Sequence, residues 1–221
     1  MTSKSKAEQP DARLQKWLAW LPVIERDIQC ILCAQRLHKE IVEIISSNAG
    51  LPKTSEVYGH LGDCYTSHAT IGLRRQLKKG SGQKSMARLL LEMAESPQSI
   101  TRRWYRKKYT ALGNNIADLA FDTFAKPGAD FVERQQIESD LEGLKQRTRK
   151  CEEYADRRVA HFDTSAPRAI PTYNDLEDAI QALESLYVKY YLLLQGSSLT
   201  TLLPTRQYDP FVVFRTAWVS S

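Results

Sequence analysis

Apolar positions recur along this chain at three- and four-residue spacing, the period of helices with one buried face. Trp17, Leu18, Trp20 and Leu21 make a short apolar segment that Pro22 ends or bends; alternatively Pro22 opens the next helix, where its missing N–H costs nothing. That helix, over about 22–48, carries Ile24, Ile28, Ile31, Cys33, Leu37, Ile41, Ile44 and Ile45 and closes at Asn48 to Pro52. Thr54 or Ser55 caps a second helix with the seam Val57, Leu61, Cys64, His68 and Ile71, running out at Arg74, Arg75 and Lys78. Gly80-Ser81-Gly82 is a loop, and Ser85 opens a short helix with Met86, Leu89, Leu90 and Met93 inward, stopped before Pro97. A further helical segment covers Ile100 to Leu112. After the turn at Lys126-Pro127-Gly128 a long helix starts near Asp130, with Ile137, Leu141, Leu144, Thr148, Cys151, Ala155 and Phe162 as its seam.

The stretch Thr164 to Pro171 contains two prolines and reads as a loop. Asn174 with Glu177 then makes a capping pair for a helix carrying Leu176, Ile180, Leu183, Tyr187, Tyr190, Tyr191 and Leu194, stopped at Gly196. Asp209-Pro210 starts a last short helix with Phe211, Phe214 and Trp218. No alternating strand pattern is present. The expected fold is all-α: an antiparallel helical bundle with a short C-terminal helix, one domain over 12–221 behind a polar, disordered start at 1–11.

Composition narrows the class. The 221 residues can bury a substantial core, and 42% hydrophobic with 26% charged content is ordinary for a globular protein. A net charge of +5 and a pI near 9.0 lean mildly toward an acidic partner such as RNA. No apolar run is long enough to span a bilayer, and the start MTSKSKAEQPDAR lacks a signal core, so a cytoplasmic protein without a membrane partner is expected. The four cysteines are sparse and lie within helical patterns, which fits reduced thiols. Cys30 and Cys33 form a lone CxxC read as core cysteines, a metal or redox pair being the alternative. His60, Cys64 and His68 stand four and four apart; two fall on the apolar seam, so a buried, hydrogen-bonded histidine is expected there and a metal site is the alternative. No cofactor or metal is expected.

Candidate chemistry lies in two places. The long sixth helical segment ends on His161, and at 100° per residue Arg157 and Tyr154 fall within about 40° of it, Arg147, Lys150 and Arg158 within about 60°. A histidine titrates near neutrality, and arginine forks match phosphate oxygens, so this combination suits phosphodiester chemistry. The plain alternative is a solvated arginine face with a histidine near a helix C-terminus. The second place is Arg102 to Tyr109, where Arg102, Arg103, Arg106 and Lys107 interleave with Trp104, Tyr105 and Tyr109. Charge and flat rings together suit single-stranded nucleic acid; the alternative is an amphipathic helix with its charges outward.

The segment Asp156-Arg157-Arg158-Val159-Ala160-His161-Phe162-Asp163 resembles the signature of the HEPN superfamily and, more narrowly, of its AbiU-like abortive-infection branch, of the form R-[ND]-K-x-x-A-H-x-D. Asp156, Arg157 in the basic position, Ala160, His161 and Asp163 match. The family's motif arginine, six residues before the histidine, corresponds to Ala155 here. The resemblance implies a helical bundle with a role in phage defence or toxin–antitoxin systems, and a homodimer that cleaves RNA without metal. It implies His161 as general acid or base, Arg157 or Arg158 on the scissile phosphate, and Tyr154 or Asp156 orienting them. The alternative it leaves open is an inactive module that binds RNA or a cognate protein partner.

Overall fold

The structure, a computed structural model, describes residues 11–109, 113–160 and 169–215. Within them are seven α-helices: α1 Ala12–Ser47, α2 Glu56–Leu77, α3 Met86–Glu95, α4 Arg102–Lys108, α5 Asn114–Phe121, α6 Arg134–Tyr154 and α7 Tyr173–Gln195. No strand occurs among the described residues, only an isolated antiparallel bridge between Thr101 and Phe131. No described helix is long and apolar enough to cross a membrane.

Helices α1, α2, α6 and α7 form an antiparallel four-helix bundle. Asp27 pairs with Arg75 while His38 stacks on Tyr65, which fixes α1 and α2 as antiparallel. Lys150 pairs with Asp175 and Lys189 with Asp140, each at 2.6 Å, doing the same for α6 and α7. Tyr173, at the start of α7, lies beside His38 of α1 and Tyr65 of α2, while Arg74 near the end of α2 reaches Asp156 just past the end of α6. At Gly72 a Cβ would come within 2.6 Å of the Ile31 side chain, so α1 and α2 approach closely only because that position lacks one. Helix α3 packs across α6 and α2, and α4 and α5 form a separate pair beside the far end of α7. One continuous core unites Trp17, Ile24, Ile28, Leu73, Met86, Leu89, Tyr105, Phe121, Tyr187 and Tyr190.

Several elements depart from the sequence expectation. Pro22 neither ends nor starts a helix but sits inside α1, exposed, while Trp17, Trp20, Leu21, Ile24 and Ile28 form one unbroken buried face across it. The seam expected on α2 is turned outward: Val57, Leu61, Cys64 and His68 are exposed, and Tyr65, Ala69, Thr70, Leu73, Gln76 and Leu77 are buried instead. Neither cysteine of the CxxC is a core residue, since Cys30 is exposed and Cys33 only partly covered. The capping box of α7 lies two residues earlier than expected, at Thr172 and Asp175. The C-terminal helix is a 3-10 turn, Val212–Arg215, with Phe214 exposed; Trp218 lies outside the described residues.

Candidate functional site

Helix α6 brings its seam to the bundle as expected: Ile137, Leu141, Leu144, Thr148 and Cys151 are all buried. Thr148 is tolerated there because its hydroxyl donates back to the Leu144 carbonyl at 2.8 Å. Burial pushes the Cys151 thiol up to about 12, which makes it an inert core group. The seam ends on Ala155, 0% exposed.

At Ala155 the helix changes pitch. The Ala160 N–H donates to the Ala155 carbonyl at 2.8 Å, closing one π-helical turn over Ala155–Val159. Such single π turns inside or at the end of α-helices are common at functional sites. This one carries Asp156, Arg157 and Arg158, the residues singled out by motif. Because the π turn advances fewer degrees per residue than an α-helix, the angular positions expected from Tyr154 onward on an unbroken α-helix do not hold. His161, Phe162 and Asp163 lie outside the described residues.

Neighbours orient this turn. Arg74, at the end of α2, donates through Nε to the Asp156 carboxylate and ties the turn to the bundle. Arg157 faces Glu153 one turn back at 3.5 Å. Tyr154, Asp156, Arg157 and Arg158 are all half-buried. Lys150 donates to Asp175 at 2.6 Å, and that ammonium, with the Thr172 N–H and hydroxyl, lowers the Asp175 carboxyl to about 2.

Before the π turn, a groove of about 420 Å³ runs between α6 and α7, its charged lining being Arg147, Arg149 and Lys150 from α6 and Asp175 and Asp178 from α7. Among the described residues neither Arg147 nor Arg149 has a hydrogen-bond or ion-pair partner. The groove thus offers two uncommitted guanidinium groups and the shared ammonium of Lys150 within about two and a half turns of the motif. The sequence pattern brought out Arg147 and Lys150, and missed Arg149.

The α4 segment is placed differently from its nucleic-acid reading. Arg102 does not face outward: it is 8% exposed, donates to the Ala129 carbonyl at 2.8 Å and to Asp122 at 2.5 Å, and lies over the Phe121 ring. Arg106 grips Asp118 through two bonds of 2.7 and 2.6 Å. Arg103 is exposed beside them, lining a cavity where Asp118, Asp122 and Asp130 offset the arginines, and Lys107 is exposed on the same short helix. The rings that would stack on bases are otherwise engaged. Tyr105 and Tyr109 are buried against each other and Phe121, and Trp104 packs on the core beneath Lys108. The segment clamps α4 to α5, and its expected role as a stripe of free charges and rings is not what these contacts describe.

One feature had no counterpart in the sequence reading. His38 stacks on Tyr65 with ring centres 4.3 Å apart and leans on Tyr173, beside a cavity of about 350 Å³ lined by α1, α2 and the start of α7. Burial lowers the His38 pKa and raises that of Tyr65. The only trace in sequence is Tyr58 and Tyr65 at heptad spacing, which is too common to carry meaning. Comparison with family models, with curated proteins and with solved structures finds no match to this chain.

Proposed function

We propose that this protein is an RNA-directed helical bundle of the HEPN type, acting as a metal-independent endoribonuclease of phage defence, with His161 as general acid and base. The observation that carries the reading is the basic groove between α6 and α7, with Arg147 and Arg149 uncommitted, leading to a π turn that bears Asp156, Arg157 and Arg158. In RNA cleavage a ribose hydroxyl attacks the neighbouring phosphorus and the P–O bond to the next nucleotide breaks. His161 takes the hydroxyl proton or returns one to the leaving oxygen, while Arg157 or Arg158 stabilises charge on the phosphoryl oxygens. The Asp156–Arg74 pair fixes the turn that presents them. Tyr154, one turn earlier, is the remaining polar neighbour. One helix end supplies too few groups for both proton transfers, so a homodimer completes the site. The test is purified protein and mixed-sequence RNA under a chelator. Cleavage by the wild type and its loss in His161→Ala are expected; intact RNA with the wild type across many sequences would overturn the enzyme.

A second reading, a non-catalytic module that binds RNA or a protein partner, is favoured by the burial of Ala155 where the family motif has its arginine. On this reading RNA stays uncut, and the affinity for RNA or for the protein partner is unchanged in His161→Ala.

A further inference from the structure

The outward turn of the α2 seam leaves a cluster that the RNA reading does not use. His60 and Cys64 are exposed on successive turns, and the His60 Nε2 stands 3.5 Å from the Cys64 Sγ. A thiolate at about 2.3 Å and an imidazole at about 2.0–2.1 Å from one zinc ion, at a tetrahedral angle, are separated by about 3.5 Å. The pair therefore already has the spacing of two adjacent zinc ligands, and its exposure lets an ion enter. The burial that would have made these residues ordinary core groups is absent.

One chain supplies only half a tetrahedral site. Among the described residues no three His, Cys, Asp or Glu side chains gather closely enough to hold an ion. A copy related by a two-fold axis would present the same pair to the same point, because such an interface places each patch against itself. The neighbouring surface suits that contact: Val57 is 61% and Leu61 37% exposed on the same side of α2, apolar groups that a second α2 would cover.

We infer that His60 and Cys64 from two copies of this chain form a Cys2His2 site for zinc or a similar soft divalent cation, joining the copies through the outer face of α2. Binding releases the proton of each Cys64 thiol, so affinity rises with pH. The inference is independent of any action on RNA.

The test uses the full chain, free of any histidine tag and stripped with chelator, titrated with Co²⁺ as the probe. Expected are the thiolate-to-cobalt and tetrahedral absorption bands, with an end point of one ion per two chains and light scattering showing at least two chains per complex. Cys64→Ser should abolish the bands. His60→Ala should weaken Co²⁺ binding more than about 100-fold, beyond the loss typical of residues that only support a ligand. His68→Ala should change neither end point nor affinity. All three positions are exposed, so circular dichroism should match the wild type. Absent bands, an end point of one ion per chain, a loaded single chain, or bands that persist in Cys64→Ser would each overturn the site.

Discussion

Replacing Ala155 by arginine introduces the side chain that the HEPN motif, which this segment resembles, carries six residues before its histidine, and the structure gives a definite expectation for it. Ala155 is 0% exposed and continues the α6 seam from Thr148 and Cys151, both also at 0%. A guanidinium introduced there enters the core in place of a methyl group. An uncompensated buried charge costs about 3–5 kcal/mol, and overpacking of a filled site adds to this. For a chain of this size each kcal/mol shifts the midpoint by about 2–4 °C, so Ala155→Arg should lower Tm by roughly 6–20 °C. Thermal unfolding followed by circular dichroism, with urea denaturation alongside, measures it. A variant as stable as the wild type that also cleaves RNA faster would show that position 155 opens onto the site rather than the core.

Other outcomes follow from the same contacts. Arg102→Ala should cost about 2–4 kcal/mol in urea denaturation, since Ala129 and Asp122 lose a buried donor, while RNA affinity and its salt dependence stay unchanged. An affinity loss at unchanged stability would instead put Arg102 on RNA. The double variant Arg147→Ala and Arg149→Ala should leave Tm within about 1 °C of the wild type but reduce the slope of log affinity against log salt by about one unit per lost phosphate contact. An unchanged slope would remove the groove from RNA binding. Asp175, held at about 2 by Lys150 and Thr172, has a folded pKa below its unfolded value near 4. Its contribution is complete above about pH 4 and is lost as pH falls toward about 2, so the advantage of the wild type over Asp175→Asn should shrink across that window. An advantage that stays constant over the same range, measured by thermal unfolding at stepped pH, would contradict the pairing.

How legible the molecule was in its sequence depended on which residues carry each buried face. Helix α6 was clear because Ile137, Leu141, Leu144, Thr148, Cys151 and Ala155 keep one unbroken spacing. In α2 Val57 and Leu61 face solvent, while Gly62, Ala69 and Gly72 share the buried face with Tyr65, Leu73 and Leu77. Close helix approach selects small side chains, so hydrophobicity pointed to the wrong side. Pro22 was read as a boundary from its missing N–H, which costs about 3 kcal/mol in a helix interior. The buried run from Trp17 to Ile28 across it more than offsets such a penalty. For the site, residue types identified the α6 terminus but gave no sign of the pitch change at Ala155 or of the pairing of Asp156 with Arg74 from α2. In α4 a basic–aromatic pattern looked the same whether its charges are free or paired. Asp118, Asp122 and Asp130 lie beyond a local window, and they decide the matter.

In the proposed function RNA lies along α6 and its π turn. Ultraviolet crosslinking of the protein to a short single-stranded RNA, followed by mass mapping of the attached peptides, tests it most directly. Crosslinks concentrated in the peptides spanning 146–160, Tyr154 among them, are the predicted result. Crosslinks confined to 102–109, or none at all when binding is saturated, would contradict it.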